Sequence, residues 1–200
     1  MNFKHVCITG GAGFVGSNLA ILLKQAHPDL CITVLDNLVR RGSELALRRL
    51  GASGIQFVHG DIRNPEDLAA LPDFDLLIDC SAEPSVQAGV GESPMYVLNT
   101  NLSGTINCLE AARLRTAAFL FLSTSRVYPI KTLNQAQYTE EATRFSWTAQ
   151  QTLPGISDQG VSEEFPLEGP RSFYGASKLA CELLIQEFVY NYNMPALINR

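Results

Sequence analysis

The stretch Thr9-Gly10-Gly11-Ala12-Gly13-Phe14-Val15-Gly16 decides how this 200-residue chain is read. It follows a short apolar run, Phe3–Thr9, and opens a helix-like segment, Val15–Gln25. Gly10, Gly13 and Gly16 recur at intervals of three. That pattern serves a tight turn, a close backbone approach to a pyrophosphate, and a helix N-terminus whose free N–H groups and dipole attract an anion. Glycines alone also fit an ordinary strand-to-helix turn, so the flanks must decide. Asp36 ends a second apolar run, twenty residues after Gly16. An acidic residue there accepts hydrogen bonds from the adenosine ribose hydroxyls. The pattern predicts a dinucleotide-binding βαβ unit. The Asp36 carboxylate would repel a 2′-phosphate and so favours NAD over NADP, although Arg40 and Arg41 follow closely and could bind a phosphate. Asp61, after the third apolar run, is either an adenine contact or a loop cap.

Outward from this turn, short apolar runs alternate with longer helix-like segments. Strands are expected at Phe3–Thr9, Cys31–Leu35, Ile55–Val58, Leu76–Asp79, Phe119–Ser123 and Ala196–Asn199. Helices are expected at Val15–Gln25, Glu44–Leu50, Pro65–Leu71, Pro94–Arg115 and Ser172–Tyr192. The strands are apolar throughout rather than alternating, which means burial on both faces. The fold class is therefore α/β, a doubly wound parallel sheet built from βαβ units. Ser93-Pro94 and Asn64-Pro65 each read as an N-cap followed by proline at the first helical position. Residues 129–171 show no clear period and are expected to form a functional loop or lid. The last strand emerges just before Arg200. Residues 1–200 are thus expected to form one dinucleotide-binding domain, the N-terminal part of a longer protein.

Composition limits the partners. The chain is 46% hydrophobic and 18% charged, with a formal charge of −5, as expected of a soluble globular protein. Its basic runs stop at Arg40-Arg41 and Arg48-Arg49, which argues against nucleic acid. No stretch approaches the roughly 20 apolar residues of a membrane span. Cys7, Cys31, Cys80, Cys108 and Cys181 are odd in number, scattered, and without metal-type spacing. All five read as small core residues of a reducing, cytoplasmic compartment.

Chemistry gathers near the end of the chain. Tyr174 and Lys178 stand four apart in Tyr-Gly-Ala-Ser-Lys, on one face of a helix. A free tyrosine has a pKa near 10, too high for an efficient base, and a neighbouring ammonium favours the phenolate. Alone, such a pair is equally an exposed lysine beside a half-buried tyrosine. Thr124, in Ser123-Thr124-Ser125-Arg126-Val127-Tyr128, closes the fifth strand, at the sheet end where ligands bind. Its hydroxyl either caps the strand or orients a reacting oxygen.

Taken in order, these motifs resemble the extended short-chain dehydrogenase/reductase superfamily, in its sugar-nucleotide epimerase/dehydratase branch. Gly60-Asp61-Ile62-Arg63 and Asn101-Leu102-Ser103-Gly104-Thr105 add to the match. The resemblance implies a Rossmann fold holding NAD at Gly10, Gly13, Phe14, Val15, Gly16, Asp36, Asn37, Asp61 and Ile62. Ala82 and Asn101 would line the nicotinamide side. Thr124, Tyr174 and Lys178 would be catalytic, the last two also touching the cofactor. It further implies a nucleotide-sugar substrate, a homodimer through the two long helices, and a C-terminal substrate domain that these 200 residues lack. Val97, Leu109, Leu183, Ile185 and Phe188 on those helices face either the sheet or a dimer partner.

Asp36-Asn37-Leu38-Val39-Arg40-Arg41-Gly42-Ser43 and Ala142-Thr143-Arg144-Phe145 are similar to CDP-paratose 2-epimerases. Ser125 and Arg126 stand where the family's 4,6-dehydratases carry their Asp-Glu pair, which counts against dehydration. Ser81-Ala82-Glu83-Pro84 and Pro129 also depart from the family pattern. The expected function is NAD-dependent epimerisation through a transient keto sugar, with a CDP-sugar 2-epimerase first and a UDP-sugar 4-epimerase or another nucleotide-sugar dehydratase or reductase as the alternative. A dinucleotide-binding protein without turnover is the alternative of another class.

Overall fold

Residues 3–200 are described in the computed structural model of the chain. It runs β1 (His5–Thr9), α1 (Phe14–Ala26), β2 (Cys31–Asp36), α2 (Ala46–Ala52), β3 (Gln56–His59), α3 (Pro65–Ala69) and β4 (Leu76–Asp79). There follow α4 (Met95–Leu98), α5 (Gly104–Leu114), β5 (Ala118–Leu122) and α6 (Ile130–Leu133). Two small hairpins come next, β6 (Tyr138–Glu140) with β7 (Phe145–Trp147) and β8 (Ile156–Ser157) with β9 (Gly160–Val161). The long α7 (Phe173–Tyr192) and β10 (Ala196–Asn199) complete the order.

Six strands form one sheet in the order β10-β5-β4-β1-β2-β3. Every pairing in it is parallel. The order of strand addition reverses between β1 and β4, which opens a crevice at their carboxyl ends. Successive residues of a strand point to opposite faces, and both faces are covered. Cys7, Leu77, Phe119 and Phe121 pack under α5 and α7, while Ile8, Val34 and Ile78 pack toward α1 and α2. This is the doubly wound Rossmann architecture expected from the continuous apolar strands.

Several expectations need correction. Residues 129–171 are not without regular structure, since they hold α6 and both hairpins. Strands of two or three residues are too short to show a period, but Val127, Tyr128 and Phe165 give them a small core of their own. The Pro94–Arg115 helix is interrupted by a π-helical turn over Asn99–Ser103. Proline precedes the helix as its N-cap, and Ser93 Oγ accepts from the Met95 N–H at 3.3 Å. Cys31 is exposed and Cys80 half-buried, so only Cys7, Cys108 and Cys181 are core residues. Cys31 begins β2 at the amino-terminal rim of the sheet, where helices no longer cover it. Val97, Leu109 and Ile185 face the core, and Leu183 faces outward. Among the described residues no helix is long and apolar enough to cross a membrane.

Candidate active site

The glycine turn shapes the floor of the crevice. Gly10 has φ +64°, and a Cβ there would lie 2.8 Å from the Cys80 carbonyl. A Cβ on Gly16 would strike the Gly10 carbonyl oxygen, so α1 begins tight against the turn. Its N-cap, Gly13, offers no side chain, and the first-turn N–H groups remain for a ligand. Phe14 and Val15 point outward, with Phe14 87% exposed. What they offer the crevice is backbone amide, not side chain.

Asp36 does more than expected. Its Oδ2 accepts from the Ala12 N–H at 3.0 Å and its Oδ1 from the Leu38 N–H at 2.8 Å. The carboxylate therefore ties the glycine turn to the loop after β2, where Leu38 takes φ +54°. Each oxygen keeps a lone pair for a ribose hydroxyl. Asn37 donates to Asp61 at 2.9 Å. Hydrogen bonds from Arg63 hold the Asp61 carboxyl well below the usual carboxylate range. Ile62 is buried against Gly104, whose missing side chain makes room for it.

Gly10, Gly13, Asp36, Asn37, Asp61, Ile62 and Ala82 line one cleft. Within it, the Thr100 hydroxyl is out of solvent and has no partner among the described residues. A side-chain-free floor, an uncapped helix N-terminus, a braced acid and an orphaned hydroxyl together fit a dinucleotide. Asn101 is placed differently from its expected role. It is buried, its Oδ1 accepts from Glu83 N at 2.7 Å, and its Nδ2 donates to Glu83 O at 3.0 Å. It shapes the loop after β4 from below.

On the other flank, the turn after β5 meets the start of α7. Thr124 Oγ1 accepts from the Arg126 N–H at 3.1 Å, which leaves its own proton free to be donated. Ser172 caps α7 by accepting from Gly175 N at 3.1 Å. A Cβ on Gly175 would collide with the Arg126 carbonyl oxygen. That missing atom lets the helix carrying Tyr174 lie directly on the turn carrying Thr124. Tyr174 is half-buried at this contact. Lys178, one turn on, is 3% exposed, with Nζ 3.7 Å from the Phe121 ring centroid. Burial lowers the Lys178 pKa, and the Asp79 carboxylate opposes that shift.

Asp79 and Glu182 escaped the sequence reading. Asp79 is buried at the end of β4 and accepts from Thr9 Oγ1 and Thr105 Oγ1, both at 2.8 Å, and from Ser81 N at 3.0 Å. Glu182 is buried on α7, accepts from Ser123 Oγ, and binds Arg200 at 2.6 Å. Both are short polar residues inside apolar runs, which was the available signal. Cys80 borders the cleft, but burial pushes its thiol up to about 12, so it is no nucleophile.

This fold and this site define a dinucleotide-binding domain of the short-chain dehydrogenase/reductase class. The chain belongs to the NAD dependent epimerase/dehydratase family, whose model matches residues 6–200. It is 32% identical over 203 residues to the CDP-paratose 2-epimerase of Salmonella typhi, covering 96% of this chain and 55% of that one. With the dTDP-glucose 4,6-dehydratase of Mycobacterium tuberculosis it shares 29% over 196 residues, covering 98% and 52%. The structure of UDP-glucuronic acid 4-epimerase from Bacillus cereus, in complex with UDP-glucuronic acid and NAD, has the same fold. Its TM-score is 0.72 at 24% identity, over 98% of this chain and 55% of that one. The chain spans about half the length of the curated relatives it matches.

Proposed function

We propose that residues 1–200 are the dinucleotide-binding and acid/base unit of a nucleotide-sugar epimerase, and that its reaction is 2-epimerisation of a CDP-sugar. The observation that carries the reading is the seating of α7 on the β5 turn, which Gly175 permits. It seats the start of the helix that carries Tyr174 on the turn that carries Thr124, at the carboxyl end of β5. The choice of reaction rests on the match to CDP-paratose 2-epimerase and on Ser125-Arg126, which offer no carboxylic acid for dehydration.

Bound NAD supplies a hydride acceptor that can later return the hydride. Tyr174 takes the proton from the sugar hydroxyl as its carbon is oxidised, and gives it back on reduction. Thr124 donates its free proton to the same oxygen and fixes its direction. Lys178 stabilises the phenolate and reaches the ribose hydroxyls. Gly10, Gly13, the first-turn amides at Phe14, Val15 and Gly16, Asp36, Asn37, Asp61, Ile62 and Ala82 hold the dinucleotide. Asn101 acts through the Glu83 loop.

The test is to denature the purified protein, identify the small molecules released, and then assay a panel of CDP- and UDP-sugars. NAD released together with turnover of a CDP-sugar is the expected result. NAD with turnover of UDP-sugars alone would replace the 2-epimerase by a 4-epimerase. NAD bound with no turnover of any sugar would favour a binding protein. Pairing through α4–α5 and α7 is proposed from the resemblance, with Ile106, Leu183 and Val189 exposed on those helices. A solution mass of one chain would overturn it.

A further inference from the structure

Two charged side chains meet across the cleft without belonging to the catalytic set. Arg40 follows β2 and Glu83 follows β4, on either side of β1, and both line the cleft. Arg40 Nη2 lies 3.3 and 3.4 Å from the two Glu83 carboxylate oxygens. The acid is set in advance. Glu83 Oε1 also accepts from Ser85 N at 3.0 Å, and buried Asn101 clamps its main chain on both sides. Arg40 is fixed at its own base, where its carbonyl accepts from Ser43 N at 3.0 Å and Ser43 Oγ at 2.6 Å.

This pair has little to do for the fold. The Arg40 side chain is 59% exposed, and exposed pairs contribute well under about 1 kcal/mol. Its position matters more. Arg40 lies four residues beyond Asp36, where a guanidinium with a free fork would bind a phosphate bidentately. A phosphate monoester carries about −1.5 to −2 charges at neutral pH.

We propose that Glu83 is a cofactor-specificity residue: by holding the Arg40 guanidinium, it denies a counter-charge to a 2′-phosphate, so the cleft takes NAD and rejects NADP. Asp36 then faces that phosphate as a carboxylate, with the Arg40 guanidinium already paired. NAD meets no such penalty, because its ribose hydroxyls need only acceptors. The assignment rests on the reading of the cleft as a dinucleotide site with its adenosine ribose at Asp36.

Calorimetric titration of the chain and its Glu83→Gln variant with NAD and with NADP tests it. The variant should bind NADP about 3- to 5-fold more tightly, the most that freeing Arg40 from an exposed pair can return. NAD affinity and the melting temperature of the nucleotide-free protein should stay nearly constant. In an Arg40→Ala/Glu83→Gln double variant the gain should vanish. An unchanged NADP-to-NAD ratio in Glu83→Gln would overturn the assignment, as would a gain that survives removal of Arg40 and so belongs to Arg41. A wild-type chain that binds neither dinucleotide would sink the cofactor reading as well. NAD bound with an unaltered ratio sinks only this inference.

Discussion

The two flanks of the crevice are built on different principles. On the β1–β3 side the site is mostly backbone: glycines without side chains, an uncapped helix end, and an Asp36 that braces main-chain amides. On the β4–β10 side it is mostly side chain, carried by a helix among the buried polar residues Asp79, Asn101, Ser177, Lys178 and Glu182. The first flank needs only that nothing fill the space. The second needs every buried polar group to find a partner, since an unpaired one costs ~1–3 kcal/mol. Binding and catalysis should therefore fail separately when each flank is altered.

The largest effect should come from the flank that carries Tyr174. Tyr174→Phe should lower the epimerisation rate by roughly 10² to 10⁴, the usual worth of a positioned acid/base, with the amount of bound NAD unchanged. Near-normal turnover would remove Tyr174 from the mechanism. Glu182→Gln should be next, destabilising by about 3 kcal/mol, because it leaves Arg200 without its carboxylate. Thermal unfolding should show a loss of roughly 10 °C, and a shift near zero would mean that the Glu182–Arg200 pair contributes little to the fold. Gly175→Ala should cost ~1–3 kcal/mol by overpacking α7 against the Arg126 carbonyl. The comparison sharpens if this variant loses turnover while still binding NAD.

The smallest effect belongs to the binding flank. The Asp61 pKa is depressed in the fold, so its contribution is present above the ordinary carboxylate pKa and is lost as the pH falls below it. Arg63 is partly exposed, so screening keeps this within about 1 kcal/mol. Acid unfolding of Asp61→Asn should start from lower stability at neutral pH and approach wild type as the pH falls through the depressed pKa of Asp61. Parallel curves would remove Asp61 from the linkage.

The same contrast explains what the sequence showed. Gly10, Gly13, Gly16 and Asp36 were legible because their reasons are local, a turn and a strand end within one βαβ unit. Tyr174 and Lys178 were legible as a helical pair, and Thr124 by its place after β5. Asp79 was not, because its partner Thr9 lies 70 residues away, and Asn101 was named by its motif but not by its bond to Ser177, 76 residues on. Glu182 meets Ser123 from 59 positions along, and only the folded sheet brings them together. The hairpins of residues 129–171 were hidden by strand length, and the outward Cys31 by its place on the rim.

Arg200 has one more consequence, for the order in which the molecule assembles. Glu182 is buried on α7, and its counter-charge arrives with the strand that follows the helix. The same guanidinium reaches the Glu163 carbonyl at 3.4 Å, stitching the β8–β9 region to that strand. The β1–β2 unit pairs over 26 residues (31 − 5) and can form early, whereas the strand leading into Arg200 joins the sheet only beside β5, 77 residues back (196 − 119). During refolding, amides of β1 and β2 should gain protection from hydrogen exchange before those of the α7 N-terminus. The glycine cradle is then a product of early folding, and the corner where α7 meets the β5 turn is the last part of the molecule to become itself.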